Sequence, residues 1–152
     1  MQEIKFRQAD YTEPAVRALL ADVVAELSER YGGSGDDTPI ADDDFAPPNG
    51  AFFVADDGER LVACAAWRRH HDDAELKRMY TARSARGRGL GRRMLATVEE
   101  SARAAGCRRV ILETGDRQPE AVALYESAGY VRIEDFGYYK GEEGVLSYGK
   151  AL

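Results

Sequence analysis

Cysteine is scarce. The 152-residue chain has two, Cys64 and Cys107, too few for the disulfide framework on which small secreted domains depend. Long apolar runs are missing as well: stretches such as LVACAAW at 61–67 fall far short of the roughly 20 residues that span a bilayer, which excludes a membrane-inserted chain. No charged start followed by an apolar segment marks export, so the expected setting is reducing and cytoplasmic. Histidine occurs only as His70-His71, followed by Asp72-Asp73. Neighbours in a turn diverge and no second cluster completes a ligand set, so no metal is expected. The net charge of −6 repels polyanions and excludes a general nucleic-acid binder. At ~150 residues per domain, the length predicts one domain over residues 1–152.

Charge is unevenly spread. Residues 32–59 carry eight acids and no Lys or Arg, whereas residues 60–109 carry thirteen bases against five acids. Within the basic stretch Arg83, Arg86, Arg88, Arg92 and Arg93 have no acid among them. Such a cluster reads either as an anion-docking surface or as a solvated helix face.

The pattern of apolar residues predicts an α/β fold. QEIKFRQ at 2–8 alternates as a half-buried strand does. Thr12 can cap a helix that has Pro14 in its first turn and buries Val16, Leu19, Leu20, Val23, Val24 and Leu27, running to about Tyr31. Residues 31–50, rich in Gly, Asp and Pro, have no period and read as a long functional loop with room for one helical turn. AFFVA and RLVACAAWRR, joined by DDGE, form a hairpin. AELKRMYT at 74–81 is a fourth strand, and Gly89–Ala105 is a helix with Leu90, Met94, Val98 and Ala102 at spacing four. RRVILET is a fifth strand, Pro119 to Gly129 a short helix, YVRIED a sixth strand, and GVLSYGKAL a segment able to close the sheet. Hairpin strands followed by strand, helix, strand, helix, strand predict a mixed, partly parallel sheet flanked by helices.

RGRGLG at 86–91 lies between a predicted strand and a predicted helix. Glycines there let a backbone approach a ligand, and the helix start offers unpaired N–H groups to a phosphate. A P-loop is excluded because Arg92 and Arg93 stand where Lys and a hydroxyl residue belong. A dinucleotide fingerprint finds Gly87 and Gly89 but Arg92 in place of the third glycine; with Glu113 ending the next strand, an NAD-binding protein stays as a remote alternative.

Arg86, two residues, Gly89, one residue, Gly91 matches a third pattern. The segment resembles the acyl-CoA pyrophosphate loop of the GNAT superfamily of N-acyltransferases. ELKRMYTARSARGRGLGRRML at 75–95 is similar to that family's fourth strand, loop and helix. LETGDRQPEAVALYESAGY at 112–130 is similar to its next strand and helix, so that most of the chain is covered. The resemblance implies a GNAT-type twisted sheet and acetyl-CoA as co-substrate. Backbone groups of Met79, Tyr80 and Thr81 would pair with the pantetheine arm, and the loop Arg86, Gly87, Arg88, Gly89, Leu90, Gly91 and Arg92 would hold the pyrophosphate. Gln118 stands where the family commonly has Asn at the pantetheine region. Members often dimerise through late strands, so a homodimer is a further expectation of the resemblance.

Acyl transfer to an amine meets a proton problem, because an alkyl ammonium with pKa ~10.4 is neutral only about once in 10³ at pH 7. Glu75 stands at the offset from Arg86 at which the histone-acetylating branch of the family carries its general base. Strand geometry places Glu75, Lys77 and Met79 on one face; a cross-strand ion pair of Glu75 with Lys77 or a nearby Arg is an equal reading. Glu113 is a second candidate base and water a third. Tyr125 matches the helix tyrosine that protonates the leaving thiolate in the family, or else is a core tyrosine. The implied reaction is direct attack of the amine, with a fourth-strand amide, that of Tyr80, polarising the carbonyl. Cys64, flanked by alanines, reads as a buried structural thiol. Trp67, Phe136, Tyr138 and Tyr139 line an acceptor pocket or pack. The acceptor meets the loop at 32–50, whose aspartates favour a cationic amine, while Arg68, Arg69, Lys77 and Arg78 on the same cleft would favour an amine bearing a carboxylate. Small-molecule amines and protein lysine both fit. A non-catalytic acyl-CoA-binding regulatory module is the rival reading.

Overall fold

A computed structural model describes residues 3–31 and 36–152; residues 32–35 of the predicted loop lie outside the described residues. The elements are β1 (Lys5–Ala9), α1 (Pro14–Tyr31), β2 (Gly50–Asp56), β3 (Leu61–His70), β4 (Asp73–Thr81), α2 (Leu90–Ala104), β5 (Arg109–Gly115), α3 (Pro119–Ser127), β6 (Val131–Arg132) and β7 (Val145–Ala151), with a single 3-10 turn at Arg83–Ala85 between β4 and α2. Seven strands form one sheet in the order β1-β2-β3-β4-β5-β7-β6. Only β4 and β5 are parallel; every other pair is antiparallel.

The β2–β3 hairpin closes on Asp57, whose carboxylate accepts from the N–H groups of Glu59 and Arg60, with Gly58 at φ 97°. That is the positive φ a tight turn demands of its Asp-Gly step. Thr12 does not cap α1 as expected. Its N–H and hydroxyl both donate to the Asp10 carboxylate, which folds the approach to the helix instead. The sixth strand is also shorter than the pattern implied: only Val131 and Arg132 pair, and β7 inserts between them and β5.

The sheet has two covered faces. On one, α2 buries Leu90, Met94, Leu95, Val98 and Ala102 against Phe53, Ala65, Trp67, Leu76 and Val110. The Trp67 indole N–H, which would be costly to bury unpaired, donates to Ser101 Oγ at 2.9 Å, so Trp67 packs and lines no acceptor pocket. On the other face, Val16 and Leu19 of α1 meet Phe52, Val54, Cys64 and Ala66. The loop that follows α1 inserts Phe45 beneath Tyr11, ring centroids 5.0 Å apart. The same alternation divides Arg68 from Arg69. Arg68 turns toward the loop, whereas Arg69 leaves the cleft where it was expected, donating to the Pro48 and Ala105 carbonyls.

Candidate active site

One extra residue in β4 determines the site. Cys64 of β3 pairs with Tyr80, but Ala66 pairs with Lys77, so β4 carries three steps where β3 carries two. Arg78, at φ 56°, is the insertion, and the Cys64 thiol donates to its carbonyl at 3.0 Å. Burial pushes that thiol up to about 12, which leaves Cys64 a clamp on the bulge and not a nucleophile. A bulge shifts the side-chain alternation by one. Glu75 and Lys77 therefore face the loop, while Met79 crosses to the α2 face and packs beside Gly91. The expectation that Met79 shares a face with Glu75 and Lys77 is corrected by this single residue. Short of the bulge the strands already part: β4 and β5 pair only at Ala74↔Val110 and Glu75↔Ile111. From Leu76 onward the β5-facing edge of β4 has no strand partner.

The glycine loop lies at the end of that free edge. Gly87 and Gly89 have φ of 82° and 75°, the left-handed region that costs an L-residue roughly 1–2 kcal/mol. Gly91 answers a different need: a Cβ there would sit 3.0 Å from Leu124 Cδ2, so any side chain at this position would have to displace Leu124 of α3. None of the N–H groups from Gly87 to Arg92 donates to an acceptor among the described residues. Six consecutive donors, at the positive end of the α2 dipole, form an anion cradle.

The arginines contribute less than their number implied. Arg83 and Arg86 both bind the buried Glu26 carboxylate, Arg92 donates to Ser127, and Arg93 covers the Phe6 ring at 4.4 Å. Arg88 is exposed with no hydrogen bond, ion pair or ring contact among the described residues, and its charge is felt by Asp57. Backbone amides are therefore the donors this loop has left to offer an anion. Thr81 presents its carbonyl to Arg86 Nε at 3.1 Å, and Leu90 anchors the loop in the core. Gln118, at the start of α3, makes no side-chain cap bond.

Tyr125 of α3 is buried, with its hydroxyl 4.0 Å from Met79 Sδ. Burial pushes the phenol up to about 12, so it holds its proton throughout the neutral range. Its ring meets Tyr130 edge-on at 5.9 Å, and the Tyr130 hydroxyl donates to Glu99. The residue is thus a core side chain whose protonated hydroxyl is turned toward Met79, beside the bulge in β4.

On the opposite face of the same strands lies a dense charged cluster. Glu75, 2% exposed, accepts from Arg68 Nε at 3.0 Å, with Lys77 Nζ 4.0 Å from its other oxygen. Arg68 also reaches Asp44 of the loop at 2.9 Å. Lys77 and Arg78 both bind Asp36 Oδ2 at 2.9 Å, while Thr38 and the Tyr139 hydroxyl donate to Oδ1. Burial opposes ionisation of Asp36, but the charge of Lys77 and the bonds from Thr38 outweigh it and hold the carboxyl well below its usual range.

Glu113 on β5 is different. Its Oε2 accepts from the Tyr139 N–H at 3.0 Å, and its Oε1 is buried without a partner. Gly137 makes room for it: a Cβ there would fall 2.5 Å from Oε1. Burial raises the Glu113 pKa, opposed by the Tyr139 bond and the charge of Lys77 and reinforced by Glu75 and Asp36. A carboxylate short of donors, with a raised pKa, is suited to accept a proton.

The same fold, with the sheet parted between its two parallel strands, is shared with solved acetyltransferases. One from Streptococcus agalactiae superimposes with a TM-score of 0.80 at 24% identity, covering 100% of both chains. One from Bacillus subtilis, in complex with CoA, does so at 0.68 and 14% identity, covering 99% of both chains; these likenesses are of fold. The chain belongs to the Acetyltransferase (GNAT) family, whose profile matches residues 18–130. The IAA acetyltransferase of Azospirillum brasilense is 38% identical over 96 residues, which span 62% of this chain and 63% of that relative. No helix among the described residues is long and apolar enough to cross a membrane.

Proposed function

We propose that the protein transfers an acetyl group from acetyl-CoA to a primary amine. The observation that carries this reading is the run of six unpaired N–H groups from Gly87 to Arg92 beside the unpaired edge of β4. The cradle suits a diphosphate, and the strand edge at Met79, Tyr80 and Thr81 suits an extended amide-bearing arm, as a neighbouring strand would pair. The co-substrate supplies an acyl group activated as a thioester. An N–H on the open edge of β4 polarises its carbonyl, the Tyr80 N–H itself being turned toward Cys64 of β3, and Tyr125 donates a proton to the departing sulfur. No covalent enzyme intermediate is needed, and Cys64 is too deeply buried to form one.

The incoming ammonium must lose a proton. Glu75 was the first candidate, but its carboxylate is tied to Arg68, and proton uptake would break that pair in a buried setting. Glu113 has a free oxygen and a raised pKa, so it is assigned the base, directly or through one water. The nitrogen–carbon bond forms as the carbon–sulfur bond breaks, giving an amide and free thiol.

Thiol release measured with acetyl-CoA and a panel of primary amines tests this. Amine-dependent release is expected. Tight acetyl-CoA binding with no acceptor-dependent release would favour a regulatory binding module, and stabilisation by NAD alone would favour the dinucleotide reading.

A further inference from the structure

The acceptor side carries three cations, Arg68, Lys77 and Arg78, and each is already matched within the protein. Arg68 lies between Asp44 and Glu75, and Lys77 and Arg78 share one oxygen of Asp36. The Lys77 side chain is only 4% exposed, so removing Asp36 from it would leave a buried charge with only Glu75, 4.0 Å away, to balance it, a costly state. Asp36 is further held by Thr38 and by Tyr139, whose own N–H fixes Glu113. Of the four carboxylates Asp36, Asp44, Glu75 and Glu113, the one with no ion pair among the described residues is Glu113, which feels the Lys77 charge only from a distance.

Resting on the transferase reading, we propose that the acceptor is a cationic amine with no carboxylate beside the reacting nitrogen. Its ammonium supplies the charge that Glu113 lacks, and a neighbouring carboxylate would face Asp36 and Glu113 with no unmatched cation to receive it. The sequence, with Arg68, Arg69, Lys77 and Arg78 on one cleft, left both kinds of acceptor open. Arg69 faces elsewhere and the other three are neutralised, which removes the case for an amino acid.

The test compares amines that differ by a carboxylate, tyramine with tyrosine and agmatine with arginine, at saturating acetyl-CoA. The decarboxylated member of each pair is expected to have a kcat/KM at least about tenfold higher, equal to about 1.4 kcal/mol. Asp36→Asn, which leaves Lys77 and Arg78 short of one negative charge, is expected to narrow that ratio, and Asp44→Asn, which acts on Arg68, to narrow it independently should the first variant fail to fold. An amino acid used as well as its amine overturns the inference. A ratio unmoved in both folded variants does so too, as does the absence of turnover with both tyramine and agmatine. Thiol release across the wider panel of amines, followed in parallel, separates the two levels: release with any other primary amine leaves the transferase reading standing while this inference falls, and no release with any amine takes both down.

Discussion

Glu113→Gln is expected to lower kcat/KM for the amine by about 10²–10⁴-fold, the usual contribution of a positioned general base. The amide keeps the shape and can still accept from the Tyr139 N–H, but it cannot take up a proton. The wild-type profile is expected to rise with pH through a limb above the ordinary glutamate range, because burial raises the Glu113 pKa. The variant should lose that limb and keep only the rise due to the amine itself, near pH 10. The sign for stability runs the other way. A carboxyl whose folded pKa is raised stabilises the native state at low pH, and the benefit disappears as pH climbs through that pKa. The glutamine variant escapes this loss, so its Tm at neutral pH should be no lower than wild type, and lost activity would not reflect unfolding. Glu75→Gln provides the contrast: it strips half-buried Arg68 of a partner inside the sheet, so it should lower Tm and leave the acid limb in place. An unchanged limb in Glu113→Gln would transfer the base to Glu75 or to water.

Tyr125→Phe is expected to lower kcat about 10²-fold or more with little change in the acetyl-CoA KM. The hydroxyl has one neighbour, Met79 Sδ at 4.0 Å, so its removal breaks no strong hydrogen bond, and the phenyl ring keeps its contacts with Tyr130. With the phenol pushed up to about 12, the profile should show no basic limb from its ionisation below that region. A variant with wild-type kcat would make Tyr125 a packing residue only.

Much of the scaffold was legible in local pattern. Leu90, Met94, Val98 and Ala102 repeat every fourth residue and all are buried under α2, because an amphipathic helix writes its contacts into the sequence. The Asp-Gly hairpin and the glycine loop were equally plain, since positive φ selects for glycine. The bulge was not. Its inserted residue is an arginine, and the slip shows only in the pairing with β3 and the carbonyl contact to Cys64, 14 positions away; period-two reasoning carried Met79 to the wrong face. The cluster around Glu113 was hidden for a related reason. Asp36 and Tyr139 are 103 residues apart, both lie in segments without period, and Gly137 matters only because a carboxylate packs against it. The arginine cluster misled in the opposite direction, since Glu26, buried on α1, takes up both Arg83 and Arg86.

The most direct test of the account is calorimetric titration of acetyl-CoA into the wild type and into Gly89→Val. At φ 75° a β-branched residue is strained, and relief of that strain must turn the amides of the loop away from a shared centre. The account expects saturable binding by the wild type and a Kd at least about tenfold weaker in the variant, with a similar Tm without ligand. Equal affinity in the two proteins would contradict it, because the diphosphate would then be held somewhere other than the amides of Gly87 to Arg92.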